Sequence, residues 1–222
     1  MARKHFSHDP TDCDMPDADQ ELSVLVMNAS LKHEPDLSNT EELVELVLDN
    51  MKQHKINSEI IRLADKNIPL GLGFRESDDD QWPEIVEKLK KADVVIFATP
   101  IWWGGRSSLM QRVIERMDAL DEEYIKGGRS VLLNKVAGVV ITGSEDGAQA
   151  TLGGIMEVLT FMNFTLPPEC CAYWVGEVGQ PPKDDRKKRL VNEATKHMAY
   201  NLARNLVYYG QLLKMHPLIP KE

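Results

Sequence analysis

Three segments of the chain combine residue types that bind ligands with the backbone freedom to approach them. The first, residues 28–40, reads N-A-S-L-K-H-E-P-D-L-S-N-T and runs into a helical pattern. A helix start offers unpaired N–H groups and the positive end of the macrodipole, and Ser30, Ser38, Asn39 and Thr40 add short donors that fit around a phosphate. Lys32 adds a positive charge. The same residues also satisfy a ligand-free reading, in which Ser38 and Glu41 form an S-x-x-E capping box. The loop matches neither G-x-x-x-x-G-K-[ST] nor G-x-G-x-x-G, which disfavours a nucleoside triphosphate or a dinucleotide at this turn.

The second segment, A-T-P-I-W-W-G-G-R-S-S, sets Trp102 and Trp103 between Pro100 and the pair Gly104–Gly105 at the end of an apolar run. Proline stiffens the exit, glycine permits close backbone approach, and an indole presents a large flat apolar face with one donor. A planar ring system is the guest that suits these features; the alternative is packing under a neighbouring loop or at a subunit interface. The third segment, I-T-G-S-E-D-G-A-Q, has Thr142, Gly143 and Ser144 placed to offer N–H groups to the polar edge of a ring. It reads equally as an ordinary turn in which Asp146 or Gly147 starts a helix.

The elements that must position these loops follow from periodicity. Short apolar runs at 24–27, 59–63, 94–99, 136–142 and 172–175 alternate with longer amphipathic segments, the signature of βαβ units and a parallel sheet. Three of the runs are continuously apolar, as in strands covered on both faces, and 59–63 is polar enough for an edge. Leu43, Val44, Val47, Leu48 and Met51 follow helical spacing, as do Leu109, Met110, Val113, Ile114 and Met117. Further helices are predicted over 83–91, 148–162 and 186–209. Ligands of open α/β sheets bind beyond the carboxyl ends of the strands. With a strand order of 2-1-3-4-5, the three loops lie side by side at that edge.

Composition bounds the function. The 222 residues suit one α/β domain over 22–222, preceded by an acidic extension over 1–21 that has little to bury and reads as disordered or loosely docked. A formal net charge of -9 argues against a nucleic-acid partner, whose phosphates need lysine and arginine. The basic cluster from Lys183 to Arg189 is interrupted by acids and reads as a solvated helix face. No apolar stretch is long enough to span a bilayer and no secretory pattern opens the chain, so no membrane partner and a cytoplasmic location are expected. The three cysteines are too few and too poorly spaced for a disulfide framework or a zinc site, and Cys170 and Cys171 read as buried thiols.

Taken together, Ala29-Ser30-Leu31-Lys32, Ser38-Asn39-Thr40 and Thr99-Pro100-Ile101-Trp102-Trp103-Gly104 resemble the NADPH-dependent FMN reductase branch of the flavodoxin-like superfamily. The family's first loop typically reads G-S-P-R, a spacer and S/G-N-T, and its second T-P-V-Y-W-G. Here Ala29 replaces the glycine and Leu31 the proline. The resemblance implies a flavodoxin-like three-layer sandwich, with a five-stranded parallel sheet and helices on both faces. It implies FMN rather than FAD, bound by Ser30, Lys32, Ser38, Asn39 and Thr40 at the phosphate, by Pro100, Ile101, Trp102, Trp103 and Gly104 along the ring, and by Thr142, Gly143 and Ser144 at the ring's other edge. It further implies NADH or NADPH as co-substrate, a small-molecule acceptor such as a quinone, free flavin, nitro or azo compound, and assembly as a homodimer or homotetramer. No dedicated catalytic side chain is required, because the cofactor carries the reaction. Iron–sulfur members of the group carry clustered cysteines after the second strand, where this chain has Asn67-Ile68-Pro69-Leu70-Gly71-Leu72-Gly73, which excludes a cluster there. A one-electron carrier without nicotinamide activity and a flavin-free interaction protein are the rival readings.

Overall fold

A computed structural model describes residues 20–128 and 130–218. Among the described residues there are six strands: β1 (Leu22–Asn28), β2 (Ile56–Arg62), β3 (Val94–Trp102), β4 (Gly105–Arg106), β5 (Val136–Gly143) and β6 (Cys171–Val175). Five pair in parallel in the order β2-β1-β3-β5-β6, and β4 is a two-residue strand antiparallel to the end of β3. With β4 set aside, this is the 2-1-3-4-5 order expected from the sequence. The helices are α1 (Asn39–Met51), α2 (Trp82–Lys91), α3 (Ser108–Arg116), α4 (Asp118–Gly127), α5 (Ala148–Phe161), α6 (Pro182–Val191) and α7 (Glu193–Met215).

The continuous apolar runs arise because alternate side chains enter two different cores. Leu25, Met27, Val95, Phe97, Val139 and Ile141 pack with Trp82, Val86, Met110, Val113, Ile155 and Leu159 of α2, α3 and α5. Val24, Val26, Val94, Ile96 and Val140 pack with Val44 and Val47 of α1 and Leu202 and Leu206 of α7. At Gly138 of β5 an added Cβ would lie 2.9 Å from Leu202 Cδ1, so the glycine lets α7 settle directly on the sheet. The edge strand β2 is exposed along its middle. Its pairing begins at Leu22↔Ile56, ahead of the predicted start at 59, and Leu63 already belongs to a 3-10 turn.

One helical expectation needs correction. The single helix predicted over 186–209 is two helices, because Asn192 has ψ 115 and its side chain accepts from the Thr195 N–H at 2.9 Å, capping α7. The apolar stripe from Leu109 to Met117 ends at Met117, where the chain turns directly into α4. Most of the expected acidic extension lies outside the described residues. Its last two members, Gln20 and Glu21, offer their carbonyls to Gln211 Nε2 at 2.6 Å and Lys214 Nζ at 2.8 Å on α7.

The long connection between β2 and α2 is held by two arginines of α3, Arg116 fully buried and Arg112 half-buried. Arg116 donates to the carbonyls of Pro69 at 2.9 Å and Phe74 at 3.3 Å and to Asp80 Oδ2 at 2.8 Å, while Arg112 reaches the Ile68 carbonyl at 3.0 Å. Asp80 in turn accepts the N–H groups of Glu76 at 2.9 Å and Trp82 at 2.8 Å. Of the cysteines, Cys170 is buried and Cys171 half-buried, both free. Burial raises both thiols, Cys171 to about 12 with a further push from Cys170, so both are protonated at neutral pH.

Candidate active site

The site is assembled at the carboxyl ends of β1, β3, β5 and β6, where a cleft of about 290 Å³ opens. Its first wall comes from the chain leaving β1. The Ala29 carbonyl accepts from Ser107 Oγ at 2.8 Å and the Ser30 N–H donates to Asn28 Oδ1 at 3.1 Å, which fixes Ser30 where the strand meets the loop. Ser38 then caps α1, its hydroxyl accepting from the Glu41 N–H at 3.1 Å and its carbonyl from the Glu42 N–H at 3.0 Å. The Asn39 and Thr40 N–H groups thus stand at the open end of the helix, next to Ser30 and Lys32 in the cleft lining. The capping and anion-site readings of this loop are therefore compatible. Ser38 serves the helix, while Ser30, Asn39 and Thr40 face the cleft. Glu41 does not complete a capping box. Its Oε2 accepts instead from Asn28 Nδ2 at 2.6 Å and from Arg62 Nε at 3.1 Å and Nη2 at 2.9 Å. Lys32 lines the cleft, but its Nζ donates to the Leu37 carbonyl at 2.8 Å.

The second wall is Pro100, Ile101 and Trp102. Beyond them Trp103 (φ 50) and Gly104 (φ 76) form a two-residue turn into β4, with Ile101 opposite Arg106 and Trp102 opposite Gly105. Positive φ at both central residues is what a tight hairpin turn requires, and at tryptophan it is a strained conformation. Trp102 is half-exposed on the cleft side, and the Trp103 indole, 91% exposed, stands in solvent at the tip. Trp103 and Gly104 are thus turn residues outside the lining, as Ser38 is a capping residue outside it.

The third segment contributes Thr142, Gly143 and Ser144 to the lining. Thr142 Oγ1 lies 2.7 Å from Thr40 Oγ1, a buried hydroxyl pair that joins the α1 start to β5. A Cβ at Gly143 would come within 2.8 Å of Ile101 Cδ1, and one at Gly147 within 2.6 Å of the Gly104 Cα. The two glycines let the second and third loops touch, backbone to backbone at Gly104 and Gly147. Gly147 also starts α5, so the ordinary-turn reading holds together with the lining role.

A fourth wall escaped the sequence reading. Trp174 at the end of β6, Gln180, Asp185 and Arg189 complete the cleft. The sequence predicts a solvated face for the basic cluster, whereas Arg189 is 1% exposed and donates to Asp185 Oδ2 and Glu42 Oε2, each at 2.5 Å. The available signal was Trp174 itself, an aromatic at the carboxyl end of the strand next to β5.

The sequence profile described as NADPH-dependent FMN reductase matches residues 22–177. The chain belongs to that family. It is 30% identical over 199 residues, 87% of its length, to part of the divalent metal cation transporter MntH of Mycobacterium bovis, spanning 29% of that protein. It is 29% identical over 170 residues to 8-demethyl-8-aminoriboflavin-5'-phosphate synthase of Streptomyces davaonensis, covering 72% of this chain and 66% of that one. The chain therefore spans less than two thirds of either curated relative. Among solved structures it resembles RosB with bound 8-demethyl-8-formylriboflavin-5'-phosphate, with TM-score 0.77 and 26% identity, over 89% of this chain and 82% of that one. The family chain is flavodoxin-like α/β, and among the described residues no helix is long and apolar enough to cross a membrane.

Proposed function

We propose that the family member described here is an FMN-dependent NAD(P)H oxidoreductase that passes electrons to a small acceptor such as a quinone, free flavin, nitro or azo compound. The observation that carries the reading is the meeting, in one cleft, of an open helix N-terminus with hydroxyl donors and an aromatic wall built on a stiffened strand exit. These donors fit a phosphate, and the Pro100–Trp102 wall fits a flat ring. Ser30, Lys32, Asn39 and Thr40 would hold the phosphate, and Pro100, Ile101, Trp102, Thr142, Gly143 and Ser144 the ring and its edge. Bound FMN would supply the redox chemistry, and the protein would orient it for a nicotinamide and then an acceptor. A cytoplasmic homodimer or homotetramer belongs to the same reading, and sedimentation of the purified protein checks the assembly.

The test is the absorption spectrum of the purified protein, loaded with FMN if colourless, followed by anaerobic mixing with NADH and NADPH. Rapid bleaching of the flavin band supports the reductase; retained FMN that neither nucleotide reduces points to a one-electron carrier. The likeness to an aminoriboflavin-phosphate synthase and to a structure holding a formylriboflavin phosphate favours one second reading, in which a flavin phosphate is the substrate. A change in the mass of the released flavin after turnover distinguishes it.

Ser30→Ala and Thr40→Ala each remove one donor to a charged phosphate. A bond of that kind contributes roughly 1.5–3 kcal/mol, so FMN affinity is expected to fall about ten- to hundredfold in each, measured by fluorescence titration. The hairpin gives a separate expectation. Trp102→Ala shifts the flavin spectrum, because Trp102 lines the cleft, whereas Trp103→Ala leaves it as in the wild type; the reverse pattern would place the ring on the hairpin tip.

A further inference from the structure

The β6 side of the cleft holds an arrangement that the phosphate and ring contacts above do not use. Trp174 is the register partner of Thr142 and lines the cleft beside it. Its indole Nε1 donates to Asp185 Oδ1 at 2.7 Å. Arg189 donates to the other Asp185 oxygen at 2.5 Å and reaches Asn39 Oδ1 at 3.4 Å on the first turn of α1. Room for the indole–carboxylate bond is made at Gly176, where a Cβ would lie 2.1 Å from Asp185 Oδ1 and 3.3 Å from Trp174 Nε1. The Gly176 N–H meanwhile donates to the Gly143 carbonyl at 2.7 Å, continuing the β5–β6 ladder. Trp174, Gly176 and Asp185 are thus shaped around one hydrogen bond.

An indole has a single donor. Once a carboxylate has taken it, the side chain meets a ligand through its apolar face, as a stacking surface does. We propose that Trp174 is a further flavin-binding wall, with Asp185 and Arg189 as positioning residues that hold the indole and tie it to the start of α1. This rests on the FMN reading and adds to it a part of flavin affinity that belongs to the ring system and not to the phosphate.

The experiment titrates the full chain and its variants with FMN and with riboflavin, which lacks the phosphate. Trp174→Leu is expected to weaken both ligands by the same factor, about three- to tenfold. Trp174→Phe restores most of the loss, since it keeps an aromatic face. Gly176→Ala reproduces the loss with the indole still present, because the new methyl displaces Asp185. Ser30→Ala, by contrast, weakens FMN and leaves riboflavin unchanged. Wild-type affinity for both flavins in Trp174→Leu and Gly176→Ala overturns the inference, as does a loss confined to FMN, which would assign Trp174 to the phosphate end. Wild-type protein that binds neither flavin is a different result, and it overturns the FMN reading itself.

Discussion

Arg116→Met is expected to destabilise the protein by about 3–5 kcal/mol at neutral pH, as breaking a buried ion pair on one side does. Arg116 and Asp80 are both fully buried, with 2.8 Å between Nη2 and Oδ2. Removing the guanidinium strands the Asp80 carboxylate and releases the carbonyls of Pro69 and Phe74, so the connection from β2 to α2 loses its main tie to α3. Burial pushes the Asp80 carboxyl up, but the Glu76 and Trp82 amides and Arg116 together outweigh it and hold it below its ordinary 3.8. A depressed carboxyl contributes stability that is complete above the ordinary value and is lost as pH falls through the lower, folded-state value. The gap between wild type and Arg116→Met should therefore be widest at neutral pH and close in acid below 3.8. Urea unfolding at several pH values measures it. A loss under about 1 kcal/mol, the size of an exposed pair, would show that water replaces the guanidinium. Since this connection does not line the cleft, flavin affinity of the folded variant should stay at the wild-type level.

The second large effect is expected at the phosphate end. Ser30→Asp sets a carboxylate beside the proposed phosphate position. Two like charges about 4 Å apart at an effective dielectric of about 20 repel by roughly 4 kcal/mol, or about a thousandfold in affinity. The fold should tolerate the change, because the Ser30 hydroxyl accepts from the Lys32 N–H at 3.3 Å and a carboxylate oxygen can do the same. Riboflavin, without a phosphate, should bind nearly as it does to the wild type, and added salt should recover part of the FMN affinity by screening. Equal losses for FMN and riboflavin would mean that Ser30 contacts the ring system, and the phosphate would have to be placed elsewhere.

The contrast between these two sites shows what residue order alone can and cannot determine. The parallel sheet was legible because strands covered on both faces read as nearly unbroken apolar runs, as 94–98 of β3 and 136–141 of β5 do, and because a half-covered edge such as β2 must not. The three ligand loops were legible for a related reason: Asn39 and Thr40 at a helix start, Trp102 after Pro100, and Gly143 after Thr142 are local signals whose meaning depends on a few neighbours in the chain. Ser38, Trp103 and Gly104 were harder, since capping, turn and ligand roles draw on the same residue types, and only the backbone path decides which role each one takes. Charge was the least legible. A run from Lys183 to Arg189 has one appearance whether it faces water or carboxylates, and Arg189 is buried only because α6 lies against the first turn of α1, bringing Glu42 and Asn39 to it. The helix break at Asn192 is a local cap on Thr195 that apolar periodicity passes over, whereas the Arg116–Asp80 tie across 36 residues and the Trp174–Asp185 wall are tertiary decisions. Each depends on partners that chain folding brings together, and a burial pattern along one element carries no record of what stands opposite it.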